Sequence, residues 1–549
     1  MAEDEPAPAD DGSQGRTERS DVESGTEAVR IDGKSLSPAD VARVAREDAP
    51  VVIPDGARER VRRARERIAD VVEAGEAVYG INTGFGELVD ERIDAGELET
   101  LQHNLLRSHA SGAGRELTRE EVRALLVTRL NALVAGYSGV REVVVDHLAT
   151  MLNERIHPIC RSRGSLGASG DLAPLSHLSL VLIGEGEAVV ETGGDRARLA
   201  GEEALARADL EALSLAPKEG LALINGTQLT VGLGALIVVD AECLLEAADA
   251  AGALTTEVTM GSTVPAHPSL HAVRPHAGQQ TSAERIRALT ADSEIVESHR
   301  NCDRVQDAYS IRCLPQVHGA VRDAVAHLRE AVEIELNSAT DNPLVFDAAD
   351  ADPRASGTDR AAVLSGGNFH GEPLALRLEY VTSALTELAA ISERRIDRIL
   401  NPNVQEEHLP PFLADQSGLE SGYMIGQYTA AALVNENRSM GRAATDNTPV
   451  SGNQEDHVSM SATAALQARR ALENARIVVA TECCSAAEAA EYVDDDLGHG
   501  VGTGAVYDLV REVVDPLDGD RPLTADIERV GELIADGSVA ECVSGSLEG

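Results

Sequence analysis

The 549-residue sequence contains very little lysine, since only Lys34 and Lys218 occur among its 48 basic residues. Enzymes that hold a substrate or pyridoxal phosphate as a Schiff base need a positioned lysine, so only two residues could serve such chemistry. No apolar run approaches the roughly 18 residues that a membrane-spanning helix needs. The N-terminus also lacks the basic and apolar regions of a signal peptide. We therefore expect a cytoplasmic protein that does not associate with membranes.

The seven cysteines form no C-x-x-C pair, and their number is odd. This usage indicates reduced thiols rather than a disulfide framework or a zinc site, so we expect no bound metal. Acidic residues outnumber basic ones by 92 to 48, which gives a formal net charge of -44. Such a charge repels phosphate backbones and argues against a nucleic-acid partner. An acidic, lysine-poor surface is typical of a halophilic protein, because concentrated salt screens the self-repulsion.

Most of the chain has the periodicity of amphipathic helices, with apolar residues at i, i+3 and i+4. Strand signals are few and short, such as Ala188–Glu191. The length of the helical segments predicts a mainly α protein built around a long helical bundle. Residues 1–30 are predicted as a disordered acidic tail, and the acidic insert at 347–359 as a surface loop. The predicted helices are Arg58–Glu73, Arg119–Ala135, Val140–Arg155, Val317–Leu336, Glu372–Leu400, Leu419–Ser439 and His457–Tyr492.

A glycine-rich loop at 164–177 contains the tripeptide Ala168-Ser169-Gly170. Gly170 has no side chain to prevent its amide nitrogen from approaching the carbonyl carbon of Ala168. Ring closure, which releases the Ala168 carbonyl oxygen as water, and loss of the Ser169 hydroxyl as a second water would give a five-membered imidazolone that bears an electrophilic alkene. Ala-Ser-Gly is also a common tripeptide of ordinary loops, so the tripeptide alone favours an ordinary loop over ring formation.

The longer loop, GSLGASGDLAPLSH, resembles the signature of the aromatic amino acid ammonia-lyase family, whose members form 4-methylidene-imidazol-5-one (MIO) from Ala-Ser-Gly. Six further segments resemble the family's motifs in the same order. They are YGINTGFG at 79–86, NGTQ at 225–228, QDAYSIRC at 306–313, NSATDNP at 337–343, SGGNFH at 365–370 and NQEDH at 453–457.

The resemblance implies that Ala168, Ser169 and Gly170 form the MIO group, with no pyridoxal phosphate and no metal. It implies that Tyr79 removes the β-proton of the substrate and that Tyr309 hydrogen-bonds near the MIO or the substrate amine. The residues that it assigns to the substrate are Asn225 between carboxylate and electrophile, Gln306 in the same cluster, Arg312 as the carboxylate clamp and Phe369 as a pocket wall. Without the resemblance, Tyr79 could be a buried residue that anchors its loop, and Arg312 could form an ion pair between helices. Phe369 could be an ordinary aromatic residue of the core.

Two positions resemble the branch of this family that acts on histidine. They are His109, in LRSHASGAG, and Glu455, in NQEDH. An imidazole ring has N–H groups that need polar partners. Glu455 can accept from a ring N–H, and His109 can hydrogen-bond to the ring or stack on it. A benzene ring would leave both unpaired, at about 1–3 kcal/mol each. Alternatively, His109 and Glu455 could be structural helix residues that make their hydrogen bonds to other groups of the protein rather than to a substrate.

The implied reaction converts L-histidine to trans-urocanate and ammonia, the first step of histidine degradation. A tyrosine or phenylalanine ammonia-lyase, or an aminomutase, would share the MIO and Arg312, and an inactive family fold could serve as a binding protein. The resemblance further implies a smaller mixed N-terminal domain at 31–230 that carries the MIO loop, and a long-helix bundle at 231–549. It implies a homotetramer with active sites built from several chains.

Overall fold

The computed structural model describes residues 27–75, 78, 80–81, 95–300, 304–350, 355–445 and 447–548. Helices dominate this part of the chain, as the sequence predicts. Strands occur only in small sheets of two or three members within the same residues. In the described residues no helix is both long enough and apolar enough to cross a membrane.

The N-terminal part combines helices with short strands. Its helices are α1 (Pro38–Arg46), α2 (Asp55–Ala74), α3 (Leu98–His109), α4 (Arg119–Val134), α5 (Glu142–Asn153), α6 (Leu172–Leu182), α7 (Gly201–Ala206) and α8 (Glu219–Ile224). Its strands are β1 (Val29–Arg30), β2 (Val51–Val52), β3 (Ala113–Glu116), β4 (Ile156–Pro158), β5 (Arg161–Arg163), β6 (Glu187–Thr192) and β7 (Asp195–Ala200). Strand β1 pairs in parallel with β2, whereas β3–β5 and β4–β6–β7 are antiparallel.

The remainder of the chain forms the bundle. Its helices are α9 (Gln228–Val258), α10 (Pro268–Ala272), α11 (Ala277–Leu289), α12 (Glu294–Ser298), α13 (Tyr309–Arg312), α14 (Leu314–Leu336), α15 (Glu372–Leu400), α16 (Met424–Ser439), α17 (Ser461–Ala490), α18 (Val501–Arg511), α19 (Thr524–Ala535) and α20 (Ser538–Glu548). Strands β8 (Leu344–Asp347), β9 (Ser356–Gly357) and β10 (Ala361–Leu364) form an antiparallel sheet in the order β8–β10–β9.

Helix α9 lies at the centre of the bundle and packs against α4, α14 and α17. Its 31 residues extend for about 45 Å at 1.5 Å per residue. Small side chains such as Ala247, Ala250 and Ala251 are fully buried in it, which allows neighbouring helices to approach closely. A single apolar cluster extends from Val29 to Val543, so one core supports both parts of the chain.

The chain division predicted between residues 230 and 231 falls inside α9, which begins at Gln228. Of the predicted tail, residues 27–30 are described; Val29 is buried and belongs to β1, so order begins before residue 31. The acidic insert is only partly described. It contains a short 3₁₀ helix, Ala348–Asp350, and strand β9, which pairs with β10.

Candidate active site

A pocket of about 1200 Å³ opens where the N-terminal part meets the bundle. The end of α3, the loop before α6, the end of α8, the loop before α15 and the loop before α17 form its walls. Because these segments are distant in sequence, the pocket exists only in the folded chain. The predicted site residues that line it are His109, Ala168, Ser169, Asn225, Phe369 and Glu455.

The loop with the Ala-Ser-Gly tripeptide is held at its first half by the bundle. The carbonyl oxygen of Gly167 accepts hydrogen bonds from Ser459 Oγ at 3.0 Å and from the Gly371 amide at 2.9 Å. The Met460 amide donates to the Leu166 carbonyl at 2.7 Å. Three hydrogen bonds from two segments, the one before α15 and the one before α17, therefore fix the backbone immediately before Ala168.

The second half of the loop is held by the turn that follows α8. Gly170 has a φ of +79°, and a β-carbon at this position would lie 2.2 Å from the Gly226 carbonyl oxygen. The Asp171 amide donates to that same oxygen at 2.7 Å. Only glycine permits both the left-handed backbone and this close approach. The backbone nitrogen of residue 170 is therefore free of side-chain shielding, as ring closure requires.

Asp171, the residue after Gly170, is fully buried and anchors the loop through its side chain. It accepts hydrogen bonds from Ser165 Oγ at 2.7 Å and from the Thr230 amide at 2.9 Å. Burial raises the pKa of this carboxyl, although the hydrogen bonds oppose the shift. The sequence motif contains Asp171, but sequence reasoning assigned it no role; its position directly after Ala-Ser-Gly was the available signal.

Ser169 lies between two polar partners. Its hydroxyl donates to Glu455 Oε1, and its carbonyl oxygen accepts from Asn225 Nδ2 at 2.6 Å. Asn225 Oδ1 is buried and has no hydrogen-bond partner within the part of the chain that is described. The hydroxyl that dehydration would remove therefore lies beside an acceptor, and the carbonyl that the ring would retain already has a donor. These residues fit the MIO group.

His109 faces the same pocket with a defined tautomer. Its Nδ1 lies 2.9 Å from the Leu105 carbonyl oxygen, which can only accept, so Nδ1 bears the proton and Nε2 is an acceptor. Burial lowers the pKa of His109, while the Leu105 carbonyl and the charge of Glu455 oppose the shift. Burial therefore favours the neutral form of this imidazole.

The lining of the pocket is anionic. It includes the carboxylates of Glu372, Glu455 and Asp456, and among the described residues that form it there is no arginine or lysine. Glu372 Oε2 is shielded from solvent without a partner in the same residues. These walls suit a cationic or N–H-bearing group. They offer no guanidinium to a carboxylate.

Gln306, Tyr309 and Arg312 do not line this pocket and are exposed, Tyr309 to 72%. The segment is nevertheless firmly anchored. Arg304 donates to the Met260 carbonyl at 3.0 Å and forms an ion pair with Asp307 at 3.2 Å. Asp307 also accepts from the Ser262 amide at 2.8 Å. A rigid backbone thus presents three exposed side chains of the predicted site. Tyr79 lies outside the described residues.

The sequence matches the family described as aromatic amino acid lyase over residues 36–512. The chain is 64% identical to a probable histidine ammonia-lyase of Halobacterium salinarum over 523 residues, which cover 95% of this chain and 99% of that protein. It is 48% identical to a histidine ammonia-lyase of Gloeobacter violaceus, with coverage of 94% and 98%.

Solved structures agree with these matches. A tyrosine aminomutase from Streptomyces globisporus superimposes with a TM-score of 0.86 at 38% identity, covering 94% of this chain and 99% of that one. A histidine ammonia-lyase from Trypanosoma cruzi superimposes with a TM-score of 0.85 at 39% identity, covering 94% and 95%. The sequence motifs, the pocket and these relatives agree: the chain belongs to the aromatic amino acid lyase family.

Proposed function

We propose that this protein is a carbon-nitrogen lyase that eliminates ammonia from L-histidine to give trans-urocanate. The observation that carries the proposal is the position of Ser169, which contacts both Glu455 and Asn225 in a pocket that also contains His109. The relatives at 64% and 48% identity, both named histidine ammonia-lyases, support the same substrate.

Ala168, Ser169 and Gly170 would supply the MIO group, an electrophilic alkene that makes the substrate amine a better leaving group. Asn225 donates to the carbonyl oxygen of Ser169. In the ring this carbonyl would be conjugated with the alkene, so a donor at its oxygen would draw electron density away from Ser169 Cβ. Glu455 Oε1 is a hydrogen-bond acceptor, and so is His109 Nε2 in the tautomer described above, which favours a ring that offers N–H donors over a benzene ring. Phe369 covers another side of the pocket.

We assign removal of the β-proton to Tyr79, on the basis of its motif. A phenol has an unperturbed pKa of about 10, so it needs positive neighbours or the electrophile to act as a base near neutral pH.

The substrate carboxylate needs a cationic partner, and none of the described residues that line the pocket is an arginine or a lysine. We infer that the protein is a homotetramer in which a neighbouring subunit supplies Gln306, Tyr309 and Arg312. Support comes from their exposure on an anchored segment and from the anionic pocket lining. A guanidinium binds a carboxylate through two parallel hydrogen bonds, which suits Arg312 to this role. Because each chain has a formal charge of -44, the tetramer is expected to form in the cytoplasm of a cell with concentrated salt.

A direct assay tests the reaction. The protein in molar salt is incubated separately with L-histidine, L-tyrosine and L-phenylalanine, and urocanate, coumarate, cinnamate and β-amino acids are measured. We expect urocanate from histidine, no turnover by Ser169→Ala, and full turnover by Ser544→Ala, a control on the exposed face of α20. Consumption of tyrosine or phenylalanine while histidine remains would assign the lyase or aminomutase activity instead.

Mixed oligomers test the shared site. Ser169→Ala and Arg312→Met chains are each expected to be inactive alone. When they are dissociated in low salt, mixed and returned to molar salt, sites that combine an intact Ser169 with another chain's Arg312 should recover activity. No recovery in mixtures shown by mass to contain both chains would place both residues of a site in one chain.

A further inference from the structure

One of the two lysines of the chain is fully buried behind the pocket. Lys218 Nζ lies 2.9 Å from Asp341 Oδ2, and Asp341 is itself 2% exposed. Ser138 Oγ donates to the other carboxylate oxygen at 2.9 Å. Burial lowers the pKa of Lys218, while Asp341 opposes the shift. Neither Lys218 nor Asp341 lines the pocket.

Lys218 begins the short segment that delivers Asn225. It adopts a φ of +74° immediately before α8, and α8 ends at Ile224, directly before Asn225. Leu221 and Ile224 on this helix line the pocket. A helix of six residues has fewer than two turns, so a fixed start determines where its end lies.

Asp341 belongs to a segment whose neighbours hold other walls of the pocket. On one side, Thr340 Oγ1 accepts from Gln228 Nε2 at 2.7 Å, at the start of α9. On the other side, Asn342 lines the pocket and accepts from the Gly366 amide at 2.7 Å. Gly366 lies in the loop that continues to Phe369. The ion pair therefore joins the α8 wall to the wall that contains Phe369.

The same two segments also pack against Gly80, the residue that follows Tyr79. Gly80 has a φ of +73°, and a β-carbon there would lie 2.8 Å from Leu221 Cδ2 and 2.9 Å from Pro343 Cδ. Leu221 lies three residues after Lys218, and Pro343 two residues after Asp341. A displacement of one segment relative to the other would therefore change the position of Gly80.

We propose that the Lys218–Asp341 ion pair is a positioning element of the active site, which sets the relative placement of Asn225, the Phe369 loop and the residue adjacent to Tyr79. This inference rests on the roles proposed above for Asn225 and Tyr79. The pair contacts no substrate and acts through the segments that it joins. A compact ammonium on an unbranched stem suits a buried one-to-one contact, whereas a guanidinium needs partners for five N–H groups.

The test compares the full-length protein with Lys218→Met in molar salt. Four quantities are measured: intact mass, thermal stability, kcat and KM for L-histidine. We expect the Lys218→Met chain still to form the MIO ring, so that its mass is lower than the translated formula by two molecules of water, and to be less stable than wild type. Its kcat should be lowered roughly 100-fold with little change in KM, as misplaced catalytic groups produce. Arg123→Met is the matched control. Arg123 is 1% exposed and donates to the Val44 and Leu152 carbonyls, away from the pocket, so this variant should lose stability and keep its kcat.

A double variant separates positioning from charge burial. Lys218→Met alone leaves the buried carboxylate of Asp341 uncompensated, and adding Asp341→Asn removes that cost. We expect the double variant to regain stability and to keep the low kcat. A kcat that returns together with stability, or a Lys218→Met kcat near that of wild type, would overturn the proposal. Failure of both variants to fold would also overturn it, by assigning the pair to stability alone. Failure of the wild type to convert histidine would instead overturn the proposed function.

Discussion

Replacing Gly170 by alanine tests the structural requirement for ring formation. At a φ of +79° an alanine costs about 1–2 kcal/mol more than glycine. Its β-carbon would lie 2.2, 2.4 and 2.5 Å from the oxygen, carbon and nitrogen of Gly226, where ordinary contacts begin near 3.4 Å. The Gly226 turn must therefore move, at an overpacking cost of about 1–3 kcal/mol. We expect a total loss of about 2–5 kcal/mol of folding free energy.

The displacement matters more for the chemistry than for the stability. Asn225 precedes Gly226, and its 2.6 Å hydrogen bond to the Ser169 carbonyl would lengthen with the turn. Gly170→Ala should therefore fold but retain the mass of both water molecules and form no urocanate. These properties are measured by intact mass, by chemical unfolding in molar salt and by a urocanate assay.

Gly194→Ala is the matched control, because Gly194 has a φ of +92° and no atom within 4 Å of its added β-carbon. It should pay only the backbone cost of about 1–2 kcal/mol and keep both the dehydration and the activity. A Gly170→Ala protein that loses both water molecules and turns over histidine at the wild-type rate would refute this reasoning.

Three further predictions concern specificity, assembly and pH. Glu455→Gln should lower kcat/KM for histidine by about 10- to 100-fold, the value of a hydrogen bond to a charged group, and an unchanged ratio would remove Glu455 from substrate recognition. Sedimentation should show tetramers in 2 M salt, where the Debye length is about 3 Å or less and repulsion between the acidic chains is screened. In dilute buffer the tetramer should dissociate, and an intact, active tetramer without salt would contradict this. Burial, with the charges of Arg123 and Arg119, lowers the pKa of His157 from 6.5 to about 3. Because the unfolded state then binds the proton first, stability should fall as the pH drops from about 7 towards 3, and His157→Gln should flatten that slope by up to about 1.4 kcal/mol per pH unit. Equal slopes for both proteins, measured by equilibrium unfolding, would exclude His157 as a source.

Amphipathic helices could be predicted from the sequence with small errors in their bounds. The prediction Glu372–Leu400 coincides with α15, and His457–Tyr492 contains α17, Ser461–Ala490. Sequence reasoning missed α9, the central helix, because apolar and small residues surround its axis along most of its length. Its partly exposed polar residues are confined to the short stretch from Asp240 to Glu246. Burial of most of the helix thus removes the alternation of polar and apolar residues that identifies an amphipathic helix.

The site could be predicted where the motif residues converge within one chain, as Ser169, Asn225 and Glu455 do. Their catalytic roles stay predictions. The sequence could not indicate that Arg312 would be exposed and away from this pocket, since motif order contains no information about where each side chain lies in the folded chain. It also gave no reason to select Lys218, because its ion pair with Asp341 joins residues 123 positions apart.

The most direct test of the account is the intact mass of the purified wild-type chain. If Ala168, Ser169 and Gly170 close into the MIO ring, the polypeptide will be lighter than its translated formula by two molecules of water, and peptide mapping will place the loss within residues 164–177. A chain with the full translated mass across this segment would show that the electrophile is missing, and would contradict the proposed lyase mechanism.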